Sequence, residues 1–236
     1  MNPVIPWYIT VIVLAVNAGA AIAVWRIFRF RTGGAVILGA WLGAALLLAP
    51  PMASLATADP SRLNPLIPVF GAGSIALALA AAAFSPAARR ALASASVPAL
   101  IGVQVYRAIG LVFLVLLASG QLPAHFAKPA GWGDIVIGLT APFVALALAR
   151  GRRGARALAI AWNTVGLLDL AIAVGMGTGL LAGTGPAGPM GAFPLFIIPA
   201  FIVPLSVLLH LAVLARLLRD APARPGLEAN AIARFG

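Results

Sequence analysis

Apolar residues fill this chain in long runs, and most charged residues are confined to the short interruptions between them. The runs cover 6–28, 34–57, 66–85, 98–119, 132–149, 157–181 and 194–216. A bilayer's hydrocarbon core is about 30 Å thick and a helix rises about 1.5 Å per residue, so about 20 apolar residues cross it. The pattern therefore predicts seven membrane helices, the fifth short but sufficient. Pro50 and Pro51 predict that the second ends early or kinks. Glycine and proline crowd 183–194, which predicts a non-helical outer loop that either covers an external opening or simply connects. Pro194, Pro199 and Pro204, five apart, predict bends at the start of the seventh helix, and Pro142 predicts one in the fifth. Each such proline frees a carbonyl that can bind an ion or water if it faces a cavity.

Charge gives the bundle a direction. Arg26, Arg29 and Arg31 close the first run. Arg89 and Arg90 lie between the third and fourth, and Arg150, Arg152, Arg153 and Arg156 between the fifth and sixth. Arg216, Arg219, Arg224 and Arg234 follow the seventh. The intervening loops hold only Arg62 and Lys128. Positive loops stay cytoplasmic, so the expected fold is all-α: a polytopic seven-helix membrane bundle, N-terminus outside and C-terminus cytoplasmic. One transmembrane domain over 1–220 and a short cytoplasmic tail over 221–236 are expected. Trp7 and Trp132 at outer helix starts and Trp25 at an inner end suit interfacial belts, whereas Trp41 and Trp162 are placed to pack within the bundle. Gly39-x3-Gly43 and Gly175-x3-Gly179 have the spacing of close helix contacts.

Composition narrows the function classes. With 62% hydrophobic and only 9% charged residues, the chain has too little polar surface for a soluble globule, where about 25% is usual. The lipid bilayer is its first partner. The net charge of +11 is accounted for by topology, and no nucleic-acid footprint is present. Cysteine is absent and the histidines are only His125 and His210, which excludes disulfides, thiolate chemistry and a histidine-rich metal site. No haem-attachment, Walker, HExxH or GxSxG sequence occurs. Retinal chemistry needs a lysine inside a helix, and the one lysine, Lys128, is predicted in a loop. No metal or cofactor is therefore assigned. An alanine-rich, lysine-poor composition points to a GC-rich bacterial genome, and so to a bacterial cytoplasmic membrane.

The informative residues are the polar ones inside the runs. Arg107 lies about ten residues from either end of the fourth, too deep to reach water easily. Of the five acidic residues, Asp59, Asp220 and Glu228 lie outside the runs. Asp169, near the centre of the sixth, matches Arg107 in depth and is its expected partner, with Asp134 in the fifth as the rival. Gln104 shares a helical face with Arg107, and the adjacent Tyr106 points toward a neighbouring helix. Asn163 and His210 are expected to meet at a similar inner depth, while Asn17 lies midway along the first run. Asn163 and Asp169, some 240° apart around their helix, do not fit one narrow face.

Two site readings follow. Arg107, Asp169 and His210 form a candidate catalytic set, since histidine titrates near neutrality when unperturbed. Arg107, Gln104, Asn163, Asp134 and Tyr106 form a candidate binding set for a small anionic or polar solute. The leading expectation is a small membrane transporter or permease. The alternatives are an intramembrane enzyme acting on a lipid-soluble ligand by acid–base chemistry, and a non-catalytic accessory or sensor subunit. A second copy of the chain or a separate membrane subunit remains an open partner.

Overall fold

A computed structural model describes residues 5–28, 36–47, 66–181 and 187–219. Arg29, Arg31, Pro50, Pro51, Asp59, Arg62, the residues 182–186 and the tail from Asp220 onward lie outside these. Among the described residues all regular structure is helical. Helix α1 spans Trp7–Phe28, and its buried residues Ile9, Val13, Asn17, Ala20 and Val24 fall three or four apart. That spacing puts one stripe against the bundle and leaves an equally apolar remainder turned outward, as a helix in lipid requires.

Helix α2 spans Val36–Leu47. Helices α3 (Leu66–Phe84) and α4 (Pro86–Ser94) meet at a bend of 97°. The turn is encoded locally. Ser85 is extended and its hydroxyl accepts from the Ala88 N–H at 3.3 Å, while Pro86 stands at a position whose N–H would be unused. None of the residues of α4 is buried. A long rod follows, made of α5 (Val97–Gly102), a 3-10 segment (Val103–Gly110) and α6 (Leu111–Ala118). Helix α7 (Ala124–Ala149) packs beside it and α8 (Ala155–Gly177) packs on α7, then come a π-helical turn (Ile198–Ile202) and α9 (Val203–Arg219).

Among the described residues five helices are long and apolar enough to cross a membrane: Trp7–Phe28, Val97–Ala118, Ala124–Ala149, Ala155–Gly177 and Ile198–Arg219. The bent pair α3–α4 makes a sixth if taken as one span. Of the predicted second span only Val36–Leu47 is described, as a shorter helix. The fifth helix begins at Ala124, eight residues before the predicted start. Lys128 is therefore helical and exposed, and Trp132 lies inside the helix rather than at its beginning. Pro129 is tolerated because it forfeits a single bond, to the carbonyl four residues back, close to the helix's own start.

Close helix contact uses glycines other than the expected pair Gly39 and Gly43. A β-carbon at Gly39 or Gly43 would meet nothing within 4 Å. One at Gly110 would lie 2.7 Å from the Gly131 carbonyl, and one at Gly138 would lie 2.4 Å from the Ala108 nitrogen. The antiparallel register of α7 on the rod is thereby fixed, with Gly131 against Gly110, Gly138 against Ala108 and Ala145 against Gly102. Helix α9 packs on α8 and α5 and is tied down by Arg216, whose guanidinium donates to the carbonyls of Leu92 and Ala95.

The stretch after residue 186 is packed rather than loose: Ala187, Met190, Leu195 and Phe196 are all buried. Pro204, lacking an N–H, cannot bond the carbonyl of Ala200 four residues earlier. The indole of Trp41 supplies the missing donor at 3.1 Å and stacks edge-on with Phe201 at 4.8 Å. The carbonyl freed at that proline is thus used to hold α2 against the π turn, and does not face an ion.

Candidate functional site

A 3-10 helix has three residues per turn, so its residues i and i+3 eclipse one another. Over Val103–Gly110 this aligns Gln104, Arg107 and Gly110 along one edge of the rod, and all three are buried. Eight residues is long for this conformation, whose hydrogen bonds are poorer than those of an α-helix.

Arg107 is 1% exposed and meets three helices at once. Its Nε donates to Asp134 Oδ1 at 2.7 Å, and Nη2 lies the same 2.7 Å from that oxygen. Nη2 also donates to Asp169 Oδ2 in a short contact. Nη1 reaches His210 Nε2 at 3.1 Å and the Gly166 carbonyl at 3.4 Å. Each of the five guanidinium N–H groups therefore has an acceptor in reach. Both aspartates pair with Arg107: the expected partner and its rival converge on one cation from α7 and α8.

The tautomer of His210 follows from its neighbours. Arginine can only donate, so Nε2 must accept and Nδ1 must carry the proton. Nδ1–H then donates to Asn163 Oδ1 at 2.8 Å, and Asn163 Nδ2 donates to the Ala159 carbonyl at 2.7 Å. The chain of donors runs in one direction, from Arg107 through His210 to Asn163 and the backbone of α8. Trp162 closes one side, its ring 5.2 Å from the imidazole and its N–H donating to Thr140 Oγ1 at 2.9 Å. Tyr106 points to α9, where its hydroxyl lies 2.9 Å from Ser206 Oγ. Ser206 directs its one hydrogen to the Ile202 carbonyl at 2.8 Å, so Tyr106 is the donor.

Two glycines make room for this set. A β-carbon at Gly133 would sit 1.6 Å from Asp169 Oδ1, and one at Gly166 would sit 2.4 Å from the His210 ring. Gly166 also resolves the angular problem on α8. The 240° between Asn163 and Asp169 is 120° measured the shorter way, and Gly166 lies at the middle of that arc. His210 and Arg107 fill the arc against bare backbone, so one network holds both residues. The signal was present in "PAGWGD" and "WNTVGLLDL", which set Gly133 next to Asp134 and Gly166 three residues before Asp169. Sequence reasoning found the charged and amide residues but missed Gly133, Gly166, Thr140 and the hydrogen bond to Ser206.

Burial divides the site into a closed and an open part. Arg107, His210 and Asn163 are sealed, while the side chains of Asp134 and Asp169 are each 13% exposed. Gln104 is fully buried and neither of its amide atoms has a hydrogen-bond partner; Asn17 donates to the Val13 carbonyl at 2.7 Å but its Oδ1 is likewise unpartnered. Among the described residues no group of three histidine or acidic side chains is placed to hold a metal ion, since Asp134, Asp169 and His210 each meet the guanidinium of Arg107.

A helical bundle of membrane-spanning character, built around a buried Arg107–Asp134–Asp169–His210 network, defines the class of this protein. Within that class it belongs to the family described as Domain of unknown function (DUF8737), which matches residues 64–218. The match contains every member of the network and leaves out α1 and α2. No curated protein and no solved structure matches the chain.

Proposed function

We propose that this protein is a small multi-pass permease in which Asp134 and Asp169 take up and release a positive charge, a proton or a monovalent cation. The observation that carries the reading is the ratio at the centre. One guanidinium faces two carboxylates, which leaves one negative charge in excess when both acids are ionised. A net charge inside a bilayer costs several kcal/mol or more, so a compensating cation is favoured there. The two carboxylates are the charged members of the network that are not sealed, so they are the groups such a cation would meet first. Arg107 has no N–H left to offer, so an anionic solute is a poorer fit than the cation. His210 is fully buried with both ring nitrogens engaged, which leaves the acid–base enzyme reading without a free catalytic group.

In this reading the chain crosses the bacterial cytoplasmic membrane seven times, N-terminus outside and C-terminus inside, the direction that the arginine alternation supports. The test is reconstitution of the purified protein into vesicles holding a pH-sensitive dye. A potassium diffusion potential is imposed, and parallel vesicles carry sodium or potassium gradients. Permeability to one of these ions is expected to exceed that of protein-free vesicles, and Asp169→Asn is expected to abolish the excess while keeping its helical spectrum. The proposal fails if no ion crosses faster than in protein-free vesicles.

A further inference from the structure

Gln104 is the one side chain in the polar edge of the rod that the network does not use. It is fully buried, and both its amide oxygen and its amide nitrogen lack a partner, whereas Arg107 one turn away is saturated. A buried primary amide with empty hydrogen-bonding positions is costly, and an apolar side chain of similar length would avoid the cost. Register places it. With Ala108 against Gly138 and Gly102 against Ala145, residue 104 lies level with Pro142 of α7. Pro142 has no N–H, so the Gly138 carbonyl, about one turn back beside Ala108, is deprived of its helical donor. A carbonyl without its helical donor thus lies about one turn along the rod from the Gln104 amide. Arg107 is on one side of that amide, and the end of α7 that leads into Arg150, Arg152 and Arg153 is on the other.

We infer that Gln104 binds a water molecule between the 3-10 segment and α7, and that this water is the inner step of the route by which the charge centre exchanges its proton. The occupant must be small and must both donate and accept; water does so with the two to four polar partners that a buried water needs. The hydration itself stands apart from the proposed function, while the route rests on it.

The chain has two glutamines, Gln104 and Gln121, so protein carrying ¹⁵N only in glutamine side chains gives two amide signals. Gln121→Glu removes one and assigns the other. In bilayers, solid-state NMR is expected to show magnetisation passing from water to the Gln104 amide at short mixing times; a Gln104 signal that stays dark overturns the site. Gln104→Met supplies a second measure. A dry amide would make this variant melt higher than the parent, whereas a hydrated one makes it melt lower, by several degrees. The vesicle assay separates the route from the permease. A several-fold fall in proton flux in Gln104→Met supports the route, and an unchanged flux overturns it. Absence of any flux in the parent protein sinks the permease and the route with it, leaving the NMR result to judge the water.

Discussion

Gly133→Ala is the sharpest probe of how the charge centre is held. The added β-carbon would fall 1.6 Å from Asp169 Oδ1, where ordinary contact begins at 3.4 Å, so the carboxylate must retreat by about 1.8 Å. No hydrogen bond stretches that far, and the Arg107–Asp169 contact breaks. Asp134 remains on Arg107, so the cost should stay below the roughly 3–5 kcal/mol of stripping a buried charge of its sole partner. Loss of one charge-assisted hydrogen bond, about 1.5–3 kcal/mol, is the better guide. Alanine's helix preference over glycine returns up to about 1 kcal/mol, leaving a net loss of about 1–2 kcal/mol. The decisive assay is a double-mutant cycle with Asp169→Ala, followed by reversible unfolding in micelles. In the Asp169→Ala background the methyl meets no carboxylate, so Gly133→Ala should be neutral or slightly stabilising. An equal penalty in both backgrounds, or no penalty in the parent, refutes the argument that Gly133 exists to admit Asp169.

Other consequences are as direct. The histidine ¹⁵N spectrum, which has only His125 and His210 to resolve, is expected to show His210 protonated at Nδ1 and bare at Nε2; an Nε2–H tautomer would contradict the one-way donor chain from Arg107 to Asn163. Trp41→Phe keeps an aromatic ring against Phe201 but removes the donor to the Ala200 carbonyl, and should lower stability by about 1–2 kcal/mol. An unaltered unfolding midpoint in that variant would mean that the carbonyl freed by Pro204 finds another donor.

Much of this architecture was legible one residue at a time. A lone arginine in an apolar run needs an acid, and the runs hold only Asp169, at matching depth, and Asp134, near the outer end of its predicted run, so elimination leaves these two. The meeting of Asn163 with His210 followed from depth along antiparallel helices. What elimination could not do was choose between the acids, since depth alone ranks candidates singly and the fold uses both. Nor could it identify the glycines of contact: Gly39 and Gly43 have the expected spacing but open surroundings, while Gly131 and Gly138 flank Asp134 at a spacing of seven. The start of α7 was missed because Lys128 and Pro129 resemble a loop, although the helix absorbs both near its start, with Lys128 turned outward.

The sequence by itself determined that the chain builds apolar helices of membrane-spanning length, and that the candidates for an internal charge centre are Arg107, Asp134 and Asp169. Hydropathy and scarcity of charge settle these points before any helix touches another. Only the tertiary structure decided that Asp134, Asp169 and His210 all converge on Arg107, that the imidazole is a neutral acceptor there, and that Gln104 is left without a partner. Those outcomes depend on how closely the backbones of α7, α8 and the 3-10 segment approach, a distance set by which glycines face each other across the contact.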